Sequence, residues 1–185
     1  MELAKMESVR EYDCLEQNYI CVSDLLHGFR VANLAMKICD KLGIQESVKK
    51  DIFIAGIFHD IGKAGIEPEI LNKRGSLSER EKNRVQLHTV FGAQITWGAK
   101  FSKESVQMIY AHHEKWDGTG YPTGKKGRKL PLGARILTVC DVFDALTSDR
   151  PYRKGYSKME ALNQMEREKG TLDPKVFGVL KEVID

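Results

Sequence analysis

Residues 46–63 read ESVKKDIFIAGIFHDIGK. Val48, Ile52, Ala55 and His59 recur there at three- and four-residue spacing, so on a 3.6-residue period they share one helical stripe. Gly62 interrupts the pattern just past the His59–Asp60 pair. The same period continues outward in both directions. Upstream, a helix is expected over about 16–42, with His27, Val31, Leu34, Ala35 and Ile38 on one face and Gly43 as its stop. Downstream, a loop runs through Pro68 and Gly75. Ser78 with Glu81 then forms a capping box that opens a helix aligning Val85, His88, Gly92 and Ile95. Ser102 can cap another, in which Val106, Ile109 and His113 share a face. Pro131 suits the first turn of the next, where Leu137, Asp141 and Asp144 line up. Ser157 with Glu160 is a second capping box, and Asp173–Pro174 starts the last helix. No alternating apolar run argues for a sheet. The fold class is all-α, a compact single-domain helical bundle.

One segment departs from the helical period. Residues 115–133 hold five of the sixteen glycines and two of the five prolines, which rules out a long helix. A structured loop is expected there, and loops of this length inside a compact domain are usually functional.

A chain of 185 residues with 42% hydrophobic and 30% charged content is ordinary for a globular domain. Its formal charge of +3 is too small for general binding to a nucleic-acid polymer, though it leaves room for local basic patches. The apolar run Ile52–Phe58 is far too short to span a bilayer. The opening MELAKMESVREYD has no apolar signal core, so a cytoplasmic location without membrane association is expected. Cysteines 14, 21, 39 and 140 form no CxxC pair and read as reduced, mostly buried thiols. Residues 1–15 read as a lead-in and 16–185 as the domain. The lead-in is too short for a regulatory domain. Control is therefore expected from a partner, from expression or from metal supply, unless the chain is part of a longer protein.

The five histidines carry the chemistry. His27, His59 and His88 ride apolar helix faces, and His112–His113 adjoin the glycine-rich loop. Asp60 and Asp141 also fall at apolar surfaces, where a carboxylate is costly unless a cation or donors compensate. Divalent transition ions satisfy imidazoles and carboxylates together. Two ions about 3.5–4 Å apart need a bridging carboxylate, and Asp60 is the natural bridge because His59 beside it can serve one ion. Neighbouring helical residues diverge by about 100°, so His112 and His113 reach one ion only near a helix end. Trp116–Asp117–Gly118 supplies such an end. The pattern points to a multi-metal hydrolytic site.

Four strings make the reading more specific: HDIGK at 59–63, HHEKWDGTGYP at 112–122, PLGARIL at 131–137 and DVFDALTSDRPYRK at 141–154. With them the chain resembles the HD-GYP family of the HD metal-dependent phosphohydrolase superfamily, from about His27 to Lys154. The resemblance implies a helical HD-type bundle with a structured GYP loop and a centre of two or three metals. It also implies hydrolysis of the bacterial second messenger cyclic di-GMP to linear pGpG, GMP or both. Carried over by position, one ion would be held by His27, His59, Asp60 and Asp141, and the second by Asp60, His88, His112 and His113. Iron or manganese is what the family suggests. A third metal would call for a glutamate where this chain has Ser23; Asp24 is a nearby substitute, and two metals are favoured.

In that setting Asp60 and Lys63 are the catalytic candidates, with Lys63 binding the scissile phosphate. Asp144 would accept hydrogen bonds from a guanine edge or orient water. Arg150, Arg153 and Lys154 suit phosphate or base recognition. Tyr121 either stacks on a base or packs the loop down. Lys125, Lys126, Arg128 and Lys129 make a basic lip for an anionic dinucleotide, or a surface for a regulatory protein. Two alternatives stay open: a phosphodiesterase for another cyclic dinucleotide such as cyclic GMP-AMP, and a non-catalytic cyclic-dinucleotide-binding signalling module.

Overall fold

The computed structural model describes residues 22–149 and 154–184. Among these all regular structure is helical, as the periodicity predicts, with nine α-helices: α1 (Val22–Leu42), α2 (Glu46–Phe58), α3 (Pro68–Leu71), α4 (Glu79–Gln86), α5 (His88–Gly98), α6 (Lys103–Ala111), α7 (Leu132–Thr147), α8 (Lys158–Arg167) and α9 (Pro174–Val183). Short 3-10 turns lie at Ile61–Gly65, Gly127–Lys129 and Lys169–Thr171. The expected lead-in over 1–15 and the expected helix over 16–21 lie outside the described residues, as do Cys14, Cys21, Arg150 and Arg153.

The expected caps form. Ser78 and Ser157 each accept from the backbone N–H three residues on, and Glu81 and Glu160 reach back to complete both boxes. Ser102 accepts from the Ser105 N–H, and Asp173 from those of Lys175 and Val176. Each such cap stabilises by about 1 kcal/mol.

Three boundaries differ from expectation. The helix aligned from Val85 to Ile95 is broken at Leu87, because the side chains of His88 and Thr89 hydrogen-bond the carbonyls of Val85 and Gln86. The loop through Pro68 contains α3, with Pro68 in its first turn. Pro131 caps α7 instead of opening its first turn.

The centre of the bundle is α1, packed against α2, α7 and α9, while α6 closes over α2 and α5. Ile38, Ile52, Ile109, Ile136, Leu137 and Leu180 are fully buried where these helices meet. Burying each contributes about 1.5–3 kcal/mol. Cys39 and Cys140 are free and buried in the same core. Among the described residues, no helix is long and apolar enough to cross a membrane.

Gly62 explains how the segment after α2 meets the rest. A Cβ there would lie 1.9 Å from the His88 carbonyl oxygen, so only glycine lets this turn rest on the start of α5. The long loop is anchored as well. The Trp116 N–H donates to the Thr171 carbonyl (2.8 Å), and the Tyr121 N–H to that of His113 (3.2 Å). A Cβ on Gly120 would come within 2.4 Å of both the His113 oxygen and the Lys115 nitrogen. The Tyr121–Pro122 peptide is cis.

Candidate metal centre

The bundle brings every proposed ligand to one place. His27 comes from α1, His59 and Asp60 from the end of α2, and His88 from the start of α5. His112 and His113 follow the last turn of α6, and Asp141 comes from α7. His112 is the C-cap of α6, so the helix end expected for a histidine pair is present.

Asp60 stands between two donor sets. Ligand atoms of Asp60, His88, His112 and His113 lie within 4.8 Å of one another, as do those of His27, His59 and Asp60. Asp141 completes the second group, with Oδ1 3.0 Å from His27 Nε2 and 3.9 Å from His59 Nε2. One Asp60 oxygen is 3.5 Å from His88 Nε2, and the other is 3.4 Å from His59 Nε2.

Hydrogen bonds set the tautomers. His59, His88 and His112 each place Nδ1 at 2.6–2.8 Å from the carbonyl three residues earlier: Gly56, Val85 and Ile109. A carbonyl only accepts, so Nδ1 carries the hydrogen and Nε2 of the neutral ring presents a lone pair. The Nε2 atoms of His88 and His112 then face each other at 3.3 Å. Two lone pairs do not settle at that distance without a cation between them. Nε2 of His59 is buried and has no hydrogen-bond partner among the described residues, an orphaned acceptor of the kind a metal ion satisfies. The residues present fit divalent metals.

Electrostatics divide the histidines. Burial, reinforced by neighbouring imidazoles, holds His88 and His112 below the usual histidine range and His113 at about 3, which keeps them in the neutral, ligating form. Burial opposes charge on His27 too, but hydrogen bonds to Asp141 and Asp144 outweigh it and raise this group to about 9. Asp60 is pressed toward the acid form by burial, yet His59 and Lys63 hold it well below the ordinary carboxylate range. The two donor sets differ in charge: one is rich in carboxylate, the other in neutral imidazole.

Lys63 lies with Nζ 2.7 Å from Asp60 and 3.5 Å from Asp24. Despite burial, these carboxylates keep it firmly protonated. Asp24, the substitute for a third-metal glutamate, is thus already engaged by an ammonium. Tyr121 packs against the centre, its ring 4.9 Å from that of His113, and burial raises its phenol. Lys154 is exposed beyond the end of α7, and Lys125, Lys126, Arg128 and Lys129 are exposed on the loop.

Asp144 has a different place from the substrate contact expected of it. It is buried, and its carboxylate is already occupied. Oδ2 accepts from His27 Nδ1 (2.7 Å), and Arg30 binds both oxygens at 2.8 and 2.9 Å. Hydrogen bonding and Arg30 overcome burial and hold it at about 2. This geometry makes it the residue that orients His27.

Three residues escaped the sequence reading. Arg30, one turn after His27, grips Asp144. Thr138, one turn before Asp141, donates to the His112 carbonyl (2.7 Å). Glu114 is buried directly after the histidine pair and accepts from the Thr123 N–H and hydroxyl, tying down the GYP loop. Spacing on the ligand helices was the available signal for the first two.

A family model described as an HD domain matches residues 5–176. The chain belongs to the HD domain family. The HD-GYP resemblance holds for this HD domain as well. It is 39% identical over 153 residues to a cyclic di-GMP phosphodiesterase of Pseudomonas aeruginosa, covering 82% of this chain and 37% of that protein. It is 40% identical over 160 residues to the 3'3'-cGAMP-specific phosphodiesterase 3 of Vibrio cholerae, covering 86% and 35%. The HD domain thus spans little more than a third of the length of these curated relatives. In fold it is similar to an HDG"Y"P protein from Bdellovibrio bacteriovorus, with a TM-score of 0.71 at 22% identity over 87% of this chain and 52% of that one. The HD domain of the Listeria monocytogenes phosphodiesterase PgpH matches with a TM-score of 0.64 at 16% identity, over 92% of both chains.

Proposed function

We propose that this HD domain is a metal-dependent phosphodiesterase that opens cyclic di-GMP to linear pGpG, GMP or both. The observation that carries the hydrolytic reading is the opposed Nε2 pair of His88 and His112, beside a carboxylate shared with His27 and His59. Relatives that act on cyclic di-GMP or cyclic GMP-AMP support the substrate class.

His27, His59, Asp60 and Asp141 would hold one divalent ion, and Asp60, His88, His112 and His113 the other. Iron or manganese suits this nitrogen- and oxygen-rich set. Bound there, the ions would supply Lewis acidity toward a phosphoryl oxygen and acidify water at neutral pH. The remaining work belongs to the chain. Asp60 sets the spacing of the two donor groups. Lys63 presents a fixed positive charge at their edge for a non-bridging phosphate oxygen. Asp144 holds His27 so that Nε2 faces inward. Tyr121 covers His113 and limits water on that side. Arg150, Arg153 and Lys154 would meet the substrate's phosphates or bases, and the exposed lysines of the GYP loop would draw it in or receive a regulatory protein. A cytoplasmic location accords with this substrate.

A second reading takes 3'3'-cyclic GMP-AMP as the preferred substrate, favoured by the 40% identity to an enzyme specific for it. Anaerobically purified protein should carry about two equivalents of metal and cleave cyclic di-GMP, with products identified by chromatography. Faster turnover of cyclic GMP-AMP would overturn the substrate assignment. Binding without cleavage by the metal-loaded protein would make the domain a receptor.

A further inference from the structure

Beside the ligand cluster lies a cavity of about 170 Å³ that phosphate chemistry leaves unexplained. His113 and Asp141 form part of its wall, so it opens off the centre itself. One water needs only ~10–15 Å³, so the space suits an organic group. Val142 and Leu146 of α7 line it, and so do Met165 of α8 and Leu172 beyond the following turn. Apolar side chains from separate elements make a slot that takes the face of a flat ring by burial and dispersion. Polar side chains also line it, Lys115, Thr138 and Thr171 among them, together with Gln164 of α8 and Glu168 at its C-cap. Gln164 and Glu168 stand four residues apart there, on one helical face.

We propose that this cavity is a base pocket for the cyclic dinucleotide, and that Glu168, with Gln164 beside it, selects guanine over adenine. The inference rests on the phosphodiesterase reading above. Guanine presents two adjacent donors, N1–H and the exocyclic N2–H, on one edge. A carboxylate presents two acceptor oxygens side by side, the arrangement that also suits a guanidinium fork. Adenine offers a lone pair at N1 beside its N6 donor, and a carboxylate repels that lone pair. Of the two carboxylates lining the cavity, Asp141 is held by His27 at 3.0 Å. Glu168 is the other. It is exposed at the end of α8, so replacing it leaves the core intact.

The test uses the metal-loaded full chain with Glu168→Ala and Glu168→Gln. Affinity and kcat/KM are measured for cyclic di-GMP and cyclic di-AMP, and turnover for bis(p-nitrophenyl) phosphate, a diester without a base. Glu168→Ala should weaken binding of cyclic di-GMP about tenfold or more, the scale of one bidentate base contact. Its loss on bis(p-nitrophenyl) phosphate should be at least tenfold smaller. Glu168→Gln, which offers one donor and one acceptor, should shift the ratio of the two cyclic dinucleotides toward adenine. Unchanged affinity for cyclic di-GMP in both variants overturns the pocket and spares the phosphodiesterase reading. Equal losses on all three substrates also overturn it. A wild-type protein that binds cyclic di-GMP but cleaves nothing sinks the hydrolytic reading, and the affinity comparison still decides the pocket. Absence of binding overturns both.

Discussion

Four histidines of the centre are held in two ways. His59, His88 and His112 each turn Nδ1 back onto a carbonyl in the last turn of the preceding helix. Those carbonyls have lost their intrahelical partners, so one hydrogen bond both finishes a helix and aims a ligand. His27 sits inside α1, where backbone carbonyls are already used. Its Nδ1 is held by Asp144, 117 positions away, and Asp144 by Arg30. The first arrangement is local and no side-chain replacement can remove its acceptor. The second exists only once α1 and α7 have packed. His27 is therefore the fragile member, and it lies in the carboxylate-rich donor set.

The largest effect should come from the residue common to both halves. Asp60→Ala is expected to lose both ions and all turnover, read by metal analysis and product formation; wild-type retention of metal would break the shared-carboxylate assignment. Asp144→Ala separates the halves. It should weaken the ion near His27 by about 10–100-fold while the other binds normally, so that a metal titration resolves two unequal sites. Equal weakening at both would erase the distinction drawn here. Gly62→Ala attacks the join between the halves, because its Cβ would fall 1.9 Å from the His88 oxygen. A loss of about 1–3 kcal/mol in denaturant unfolding is expected, and an unchanged midpoint would show that the turn lifts freely from α5. Thr138→Val tests how robust the local arrangement is. It removes the hydroxyl donated to the His112 carbonyl and should cost about 0.5–1.5 kcal/mol, with metal affinity nearly unchanged. A collapse of metal binding in that variant would show His112 to depend on tertiary contacts after all.

The same distinction governs how much was legible in the sequence. Helix starts at Ser78, Ser102, Ser157 and Asp173 could be read because a cap involves residues two or three apart. The ligand positions could be read because helical spacing places each histidine on a face, and the HDIGK and HHEKWDGTGYP strings add specificity. The break at Leu87 could not, since two side chains that favour it sit within an otherwise continuous apolar stripe. The partners of Asp144 were hidden for a related reason. Its alignment with Asp141 was visible, but the arginine that occupies it comes from a helix at the other end of the chain. The cavity beside His113 needed α7, α8 and the Leu172 segment together, and no local pattern marks such a meeting.

All the proposed ligands occur at or before Asp141, while Gln164, Met165, Glu168 and Leu172 lie after α7. If Gln164 and Glu168 choose the base as proposed, that choice is encoded after the metal ligands in the chain. Mutation or exchange confined to the final forty-odd residues would give descendants with new base preferences and an inherited capacity for hydrolysis. Diversification of signalling specificity would then proceed without passing through inactive ancestors.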